Sequence, residues 1–148
     1  MRHQPGCIFC HIVRGDAPCH RVHEDAHTLA FMDLFPAEEG HVLVITKDHY
    51  PTLYEAPVES LRRVMGVARR IAPALRDVVK PAGLRVVQLN GEAAGQTVFH
   101  YHLHLIPCGP GGEMRVHGRA RGEAGRLAEL AAAIAARVEP EGSAPPRG

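Results

Sequence analysis

The sequence predicts an α+β fold: about five mainly antiparallel strands with helices packed against one face of the sheet. Three observations carry this expectation. Short runs such as HTLAFMDLF, HVLVIT, LRVVQLN and TVFHYHLHLIP are rich in β-branched and aromatic residues. Two other stretches, about 58–80 and 125–138, place their apolar residues at helical spacing. The 148 residues contain no internal repeat and no second apolar core, so one domain over 7–138 is expected.

Residues 1–6 read as a flexible N-terminus. Ile8, Phe9, Ile12 and Val13 then give a short helical pattern that Gly15 ends. HRVHED and HTLAFMDLF read as two strands joined by a tight turn near Asp25. PAEEG is a loop, and HVLVIT is a strong strand. Leu61, Val64, Met65, Ala68, Ile71, Leu75 and Val79 mark one face of a long helix, and Arg62, Arg63, Arg69, Arg70 and Arg76 a solvated one. Pro73 should kink this helix or end it early, because an interior proline costs ~3 kcal/mol. LRVVQLN and TVFHYHLHLIP are two further strands, with Asn90-Gly91 as a hairpin signal between them. PCGPGGEM is a loop, a second amphipathic helix covers about 125–138, and the composition of 139–148 predicts a disordered tail.

A net charge of +1 gives no support for charge-driven binding to nucleic acid or membrane. Without a long apolar span or a signal peptide, the chain reads as soluble and cytoplasmic. In that compartment four cysteines suggest metal binding rather than disulfides. Cys7 and Cys10 form C-x-x-C, which supplies only two of the four ligands a tetrahedral zinc needs.

His100, His102 and His104 occupy alternate positions of one strand. They should share a face turned to a cleft or to solvent, opposite Phe99, Tyr101, Leu103 and Leu105 on the helix side. Same-face residues lie about 6.7 Å apart, so His100 and His104 are separated by roughly 13 Å. One ion with ligands at about 2.0–2.1 Å does not gather all three from a straight strand. The row is therefore expected to split, one end suiting a metal and the other a substrate. A single-metal hydrolase site and a merely His-rich surface are the competing readings. Gly91, Gly95, Gln96 and Thr97 precede the row, either as an anion-binding loop or as an ordinary hairpin.

HYHLHLI resembles the signature of the histidine triad (HIT) superfamily, and NGEAAGQTV resembles the lead-in to it. CIFC, GDAP and LAFMDLFPAEEGHVLVITKDH resemble the N-terminal half of the small, single-domain, phosphoramidase-like branch, so the likeness covers roughly residues 7–107. The resemblance implies a HIT-like five-stranded sheet with one long helix and shorter ones, continued across a homodimer. It implies a hydrolase or transferase acting at the α-phosphorus of purine nucleoside phosphoramidates or related adenylylated compounds. A nucleotidyl-histidine intermediate would release nucleoside monophosphate. Hydrolysis of diadenosine polyphosphates, a metal-dependent phosphodiesterase and a non-catalytic nucleotide-binding module are the alternatives.

By the same resemblance His102 is the nucleophile, His104 contacts phosphate and the leaving-group side, and His41 supports His104 or proton transfer. Asp33 would accept from the ribose hydroxyls. Phe9, Ile12, Phe31 and Leu34 would line the base pocket, while Asn90, Gly95, Gln96 and Thr97 would bind phosphate. Cys7 and Cys10 would join His49 and His100 around a structural zinc, with no cofactor needed for the chemistry. Two positions depart from the pattern: Leu89 replaces an additional Asn, and Cys108 stands where a basic residue is usual.

Overall fold

The structure, a computed structural model, describes residues 1–142. Its elements are α1 (Ile8–Arg14), β1 (Arg21–Glu24), β2 (Thr28–Met32), β3 (Val42–Thr46), α2 (Val58–Val79), β4 (Gly83–Val87), β5 (His102–Cys108) and α3 (Ala124–Ala135). The strands form one sheet in the order β1-β2-β3-β5-β4, every neighbouring pair antiparallel.

β2 and β3 are buried along their whole length, so both sheet faces are covered. On one face Ala30, Met32, Val42, Val44, Leu103 and Leu105 pack against Val64, Ile71 and Leu75 of α2 and Leu127, Leu130 and Ile134 of α3. Fully burying each large aliphatic side chain contributes about 1.5–3 kcal/mol. On the other face Leu29, Phe31, Leu43 and Ile45 meet Phe9 and Ile12 of α1. This second layer, absent from a picture with helices on one face only, forms a wall of the site.

α2 runs through Pro73 for its full 22 residues, so the expected early end does not occur. Ile71, Ala74 and Leu75 flank the proline and are buried on the sheet, which offsets the lost backbone bond. The helix stops at Lys80, whose left-handed backbone (φ 53°) returns its N–H to the Arg76 carbonyl. The turn near Asp25 is tight, with Asp25 Oδ1 accepting from the N–H groups of His27 and Thr28.

The last strand starts later than its sequence pattern. Residues 97–101 leave the sheet, and the N–H of Tyr101 donates to the Tyr50 carbonyl at 2.7 Å. Phe99 is 45% exposed and does not join Tyr101, Leu103 and Leu105 in the core. Nor is Asn90-Gly91 a two-residue hairpin turn: β4 and β5 are joined by residues 88–101, with a 3₁₀ turn at Glu92–Ala94.

In the 1–6 segment the Arg2 N–H donates to Asp48 Oδ1 at 2.6 Å, and the His49 N–H donates to the Arg2 carbonyl at 2.8 Å. α3 ends at Ala135, and Glu139 pairs with Arg69 of α2 at 3.2 Å. Of the expected tail, 143–148 lies outside the described residues. No described helix is long and apolar enough to cross a membrane.

Candidate active site

β5 carries His102 and His104 opposite Ile45 and Leu43 of β3, on the α1 side of the sheet. They reach a cavity of about 380 Å³ between α1, the end of β2 and the segment that follows β5. Phe9, Ile12, Phe31 and Leu34 give it apolar walls, and Asp33 and Thr97 add polar edges. All eight of these side chains were anticipated. A larger groove of about 650 Å³ lies beside α2. Its Arg62 and Arg63 pair with Glu59 and its Arg69 with Glu139, so it presents balanced charge.

Hydrogen bonds fix the histidine tautomers. His102 Nδ1 donates to the His100 carbonyl at 2.6 Å, which leaves Nε2 with the free lone pair. The Ala37 N–H donates to His41 Nδ1 at 3.0 Å, so His41 carries its proton on Nε2. That proton is donated to His104 Nδ1 at 2.9 Å. His104 in turn carries its proton on Nε2, a buried donor with no partner among the described residues. An unsatisfied buried polar group costs about 1–3 kcal/mol, which a bound ligand would recover.

Burial keeps these rings neutral. His41 is pushed down to about 3 by burial and then by charge on His117 and His102. His104 is pushed down to about 2 by burial and then by its imidazole neighbours. Burial also lowers His102, against the opposing pull of the His100 carbonyl. Asp33 moves up, again through burial, while Oδ1 accepts from the Phe35 N–H at 2.8 Å and Oδ2 lies 3.5 Å from His41 Nε2.

Asp33, His41 and His104 are close enough to hold a metal ion. However, the bond from Ala37 makes His41 Nε2 a donor rather than a ligand lone pair. The better metal cluster is Cys7, Cys10, His49 and His100, whose ligand atoms all lie within 4.8 Å of one another. Cys7 Sγ and Cys10 Sγ lie 3.5 and 3.6 Å from His100 Nδ1, and Cys10 Sγ lies 3.3 Å from His49 Nδ1. A tetrahedral zinc with ordinary bond lengths would set S···N at roughly 3.5 Å. His100 Nε2 donates to the Thr46 carbonyl at 2.6 Å, which orients Nδ1 for ligation. The four residues therefore fit such an ion.

Three expected phosphate contacts are elsewhere. Asn90 Oδ1 accepts from the Leu53 N–H, and its amide pairs with Gln88. Gln96 is buried, accepting from the Gly91 N–H and donating to the Pro51 and Val98 carbonyls. Gly95 offers its carbonyl to His117, and none of the three lines the cavity. These residues brace the loop that presents Thr97. His41 is also set behind the wall, reaching the cavity through His104 and Asp33. Conversely, His117 and Gly118 line the cavity without any sequence signal, since they follow a glycine-rich loop with no periodicity.

A HIT domain family model matches residues 14–110. Over 101 residues the chain is 48% identical to "Protein hit" of Bacillus subtilis, covering 68% of this chain and 70% of that protein. It is 41% identical over 101 residues to the adenosine 5'-monophosphoramidase hnt1 of Schizosaccharomyces pombe, covering 68% and 73%. It is 38% identical over 104 residues to the adenylylsulfatase HINT3 of Arabidopsis thaliana, covering 70% and 53%. Among solved structures, a Hit-like protein from Bartonella henselae superposes with a TM-score of 0.85 at 34% identity, covering 93% of this chain and all of that one. A Zn-bound histidine triad family protein from Mycobacterium smegmatis gives 0.74 at 41% identity, covering 88% and 94%.

Proposed function

Because this chain belongs to the HIT domain family, a family with hydrolases among its members, we propose that it cleaves purine nucleoside phosphoramidates or related adenylylated compounds at the α-phosphorus. The observation that carries the reading is the bond from His102 Nδ1 to the His100 carbonyl, which leaves a neutral Nε2 beside a nucleotide-sized cavity. A neutral imidazole is a competent nucleophile near pH 7. Nε2 attacks phosphorus, a P–N bond to the ring forms, and the bond to the leaving group breaks with its electron pair on that group. His104 Nε2–H faces the phosphoryl oxygens or the departing atom. Water then attacks the nucleotidyl-histidine and frees the nucleoside monophosphate and the His102 ring.

Asp33 accepts from the ribose hydroxyls, and the base lies between Phe9, Ile12, Phe31 and Leu34. Cys7, Cys10, His49 and His100 hold a structural zinc that ties α1 to the sheet, a reading supported by their spacing and by the Zn-bound relative. Since the two thiols must stay reduced for this, the protein is assigned to a reducing compartment such as the cytoplasm. The protein pairs as a homodimer through β4, one of the two outer strands of the sheet, where Val86 is 50% exposed and Leu84 38%.

The test is turnover of adenosine 5'-phosphoramidate by the wild type and by His102→Ala, with intact mass spectrometry of the wild type during turnover. A nucleotidyl adduct on His102 and loss of turnover in the variant are expected. Retained activity in His102→Ala overturns the mechanism.

A further inference from the structure

Resting on the reading above, we propose that His117 selects the leaving group, binding a sulfate or phosphate oxyanion attached to the α-phosphorus. His117 belongs to the segment between β5 and α3, which crosses the cavity mouth. The Gly118 N–H donates to the Phe35 carbonyl at 3.0 Å, and the Gly122 N–H donates to the Leu34 carbonyl at 2.8 Å. A Cβ on Gly118 would run into the carbonyl oxygens of Pro36 and Phe35, so the strap is seated directly on that loop. From the other side Arg85 donates to the carbonyls of Gly112 and Glu113. Thus held, the His117 ring spans the mouth, Nε2 donating to the Gly95 carbonyl at 2.7 Å.

Its ring lies 5.8 Å from that of His104, whose Nε2–H has no partner among the described residues. Among the described residues no lysine or arginine lines the cavity; its charged or chargeable side chains are Asp33, Cys19, His102, His104 and His117. After burial, charge on His117 disfavours protonation of His41, His102 and His104 and favours the ionised form of Asp33. His117 is therefore electrically coupled to Asp33, His41, His102 and His104, yet lies exposed at the mouth. With Nε2 on the Gly95 carbonyl, the imidazolium form of the ring offers Nδ1–H to an oxyanion as a charge-assisted donor. A neutral amine leaving group gains nothing from this contact. The two named hydrolases above differ in this respect, one named for an adenylyl sulfate, whose sulfate is joined to phosphorus as an anhydride, and the other for a phosphoramidate.

Binding is measured by calorimetry on His102→Ala, which prevents turnover, with and without His117→Gln. Gln retains an N–H for the Gly95 carbonyl but cannot become a cation. The probes are adenosine 5'-phosphoramidate, adenosine 5'-phosphosulfate and ADP. His117→Gln is expected to weaken phosphosulfate or ADP about tenfold more than phosphoramidate, and the probe affected identifies the oxyanion. Equal losses for all three, or no loss, overturn the assignment while leaving the nucleotide site standing. If His102→Ala alone binds none of the three, the functional reading itself falls, and the role of His117 with it.

Discussion

Acid should unfold this protein through its buried imidazoles. His41 and His104 are both inaccessible, and their folded-state values lie at about 3 and about 2. An unfolded histidine titrates at about 6.5, so below that pH the unfolded chain binds two protons that the folded chain refuses. Folded values depressed in this way give stability that is fully present above 6.5 and lost as pH falls. Each ring contributes a slope of about 1.4 kcal/mol per pH unit, so at pH 4.5 the pair costs about 5 kcal/mol relative to pH 7.5. That is most of the margin of a weakly stable domain, whose total lies at roughly 5–15 kcal/mol. His102, also lowered by burial, acts with the same sign, while Asp33, raised by burial, opposes it. The assay is urea unfolding followed by circular dichroism at pH 7.5, 6.5, 5.5 and 4.5, with chelator present throughout so that metal loss does not contribute. A stability flat to within about 1 kcal/mol across that range would refute the claim that these rings are buried and neutral.

Replacing His41 with Ala leaves His104 Nδ1 without its donor, and turnover should fall by about 10²-fold in a steady-state assay; undiminished kcat would show that His104 needs no such support. Chelation should lower the melting temperature of the wild type, and elemental analysis should find one zinc per chain that Cys10→Ser loses. Gly118→Ala forces a methyl into the Pro36 carbonyl and should cost about 1–3 kcal/mol, read from the urea midpoint. Val86→Lys should convert a dimer to a monomer in light scattering, and a dimer that survives it would place the interface elsewhere.

The parts of the fold most legible in the sequence are those where one local rule governs a whole element. β2 and β3 carry unbroken apolar runs, and α2 keeps one apolar face over six turns, so periodicity alone reveals them. The triad end of the site was legible for the same reason, because His102 and His104 keep strand alternation. Residues 97–101 were misread as strand because their composition suits a sheet. What removes them is distant: the Tyr50 carbonyl captures the Tyr101 N–H, and Gln96 reaches Pro51. His117 was invisible because its placement depends on a glycine strap seated by backbone bonds to Leu34 and Phe35, which leaves no periodic trace.

His100 faces two ways. Its imidazole belongs with Cys7, Cys10 and His49, while its carbonyl steadies the neighbouring ring two positions on. Whatever loosens the sulfur cluster must also slacken the peptide that decides which nitrogen of His102 stays bare. Folding and reactivity are thus hinged on a single residue.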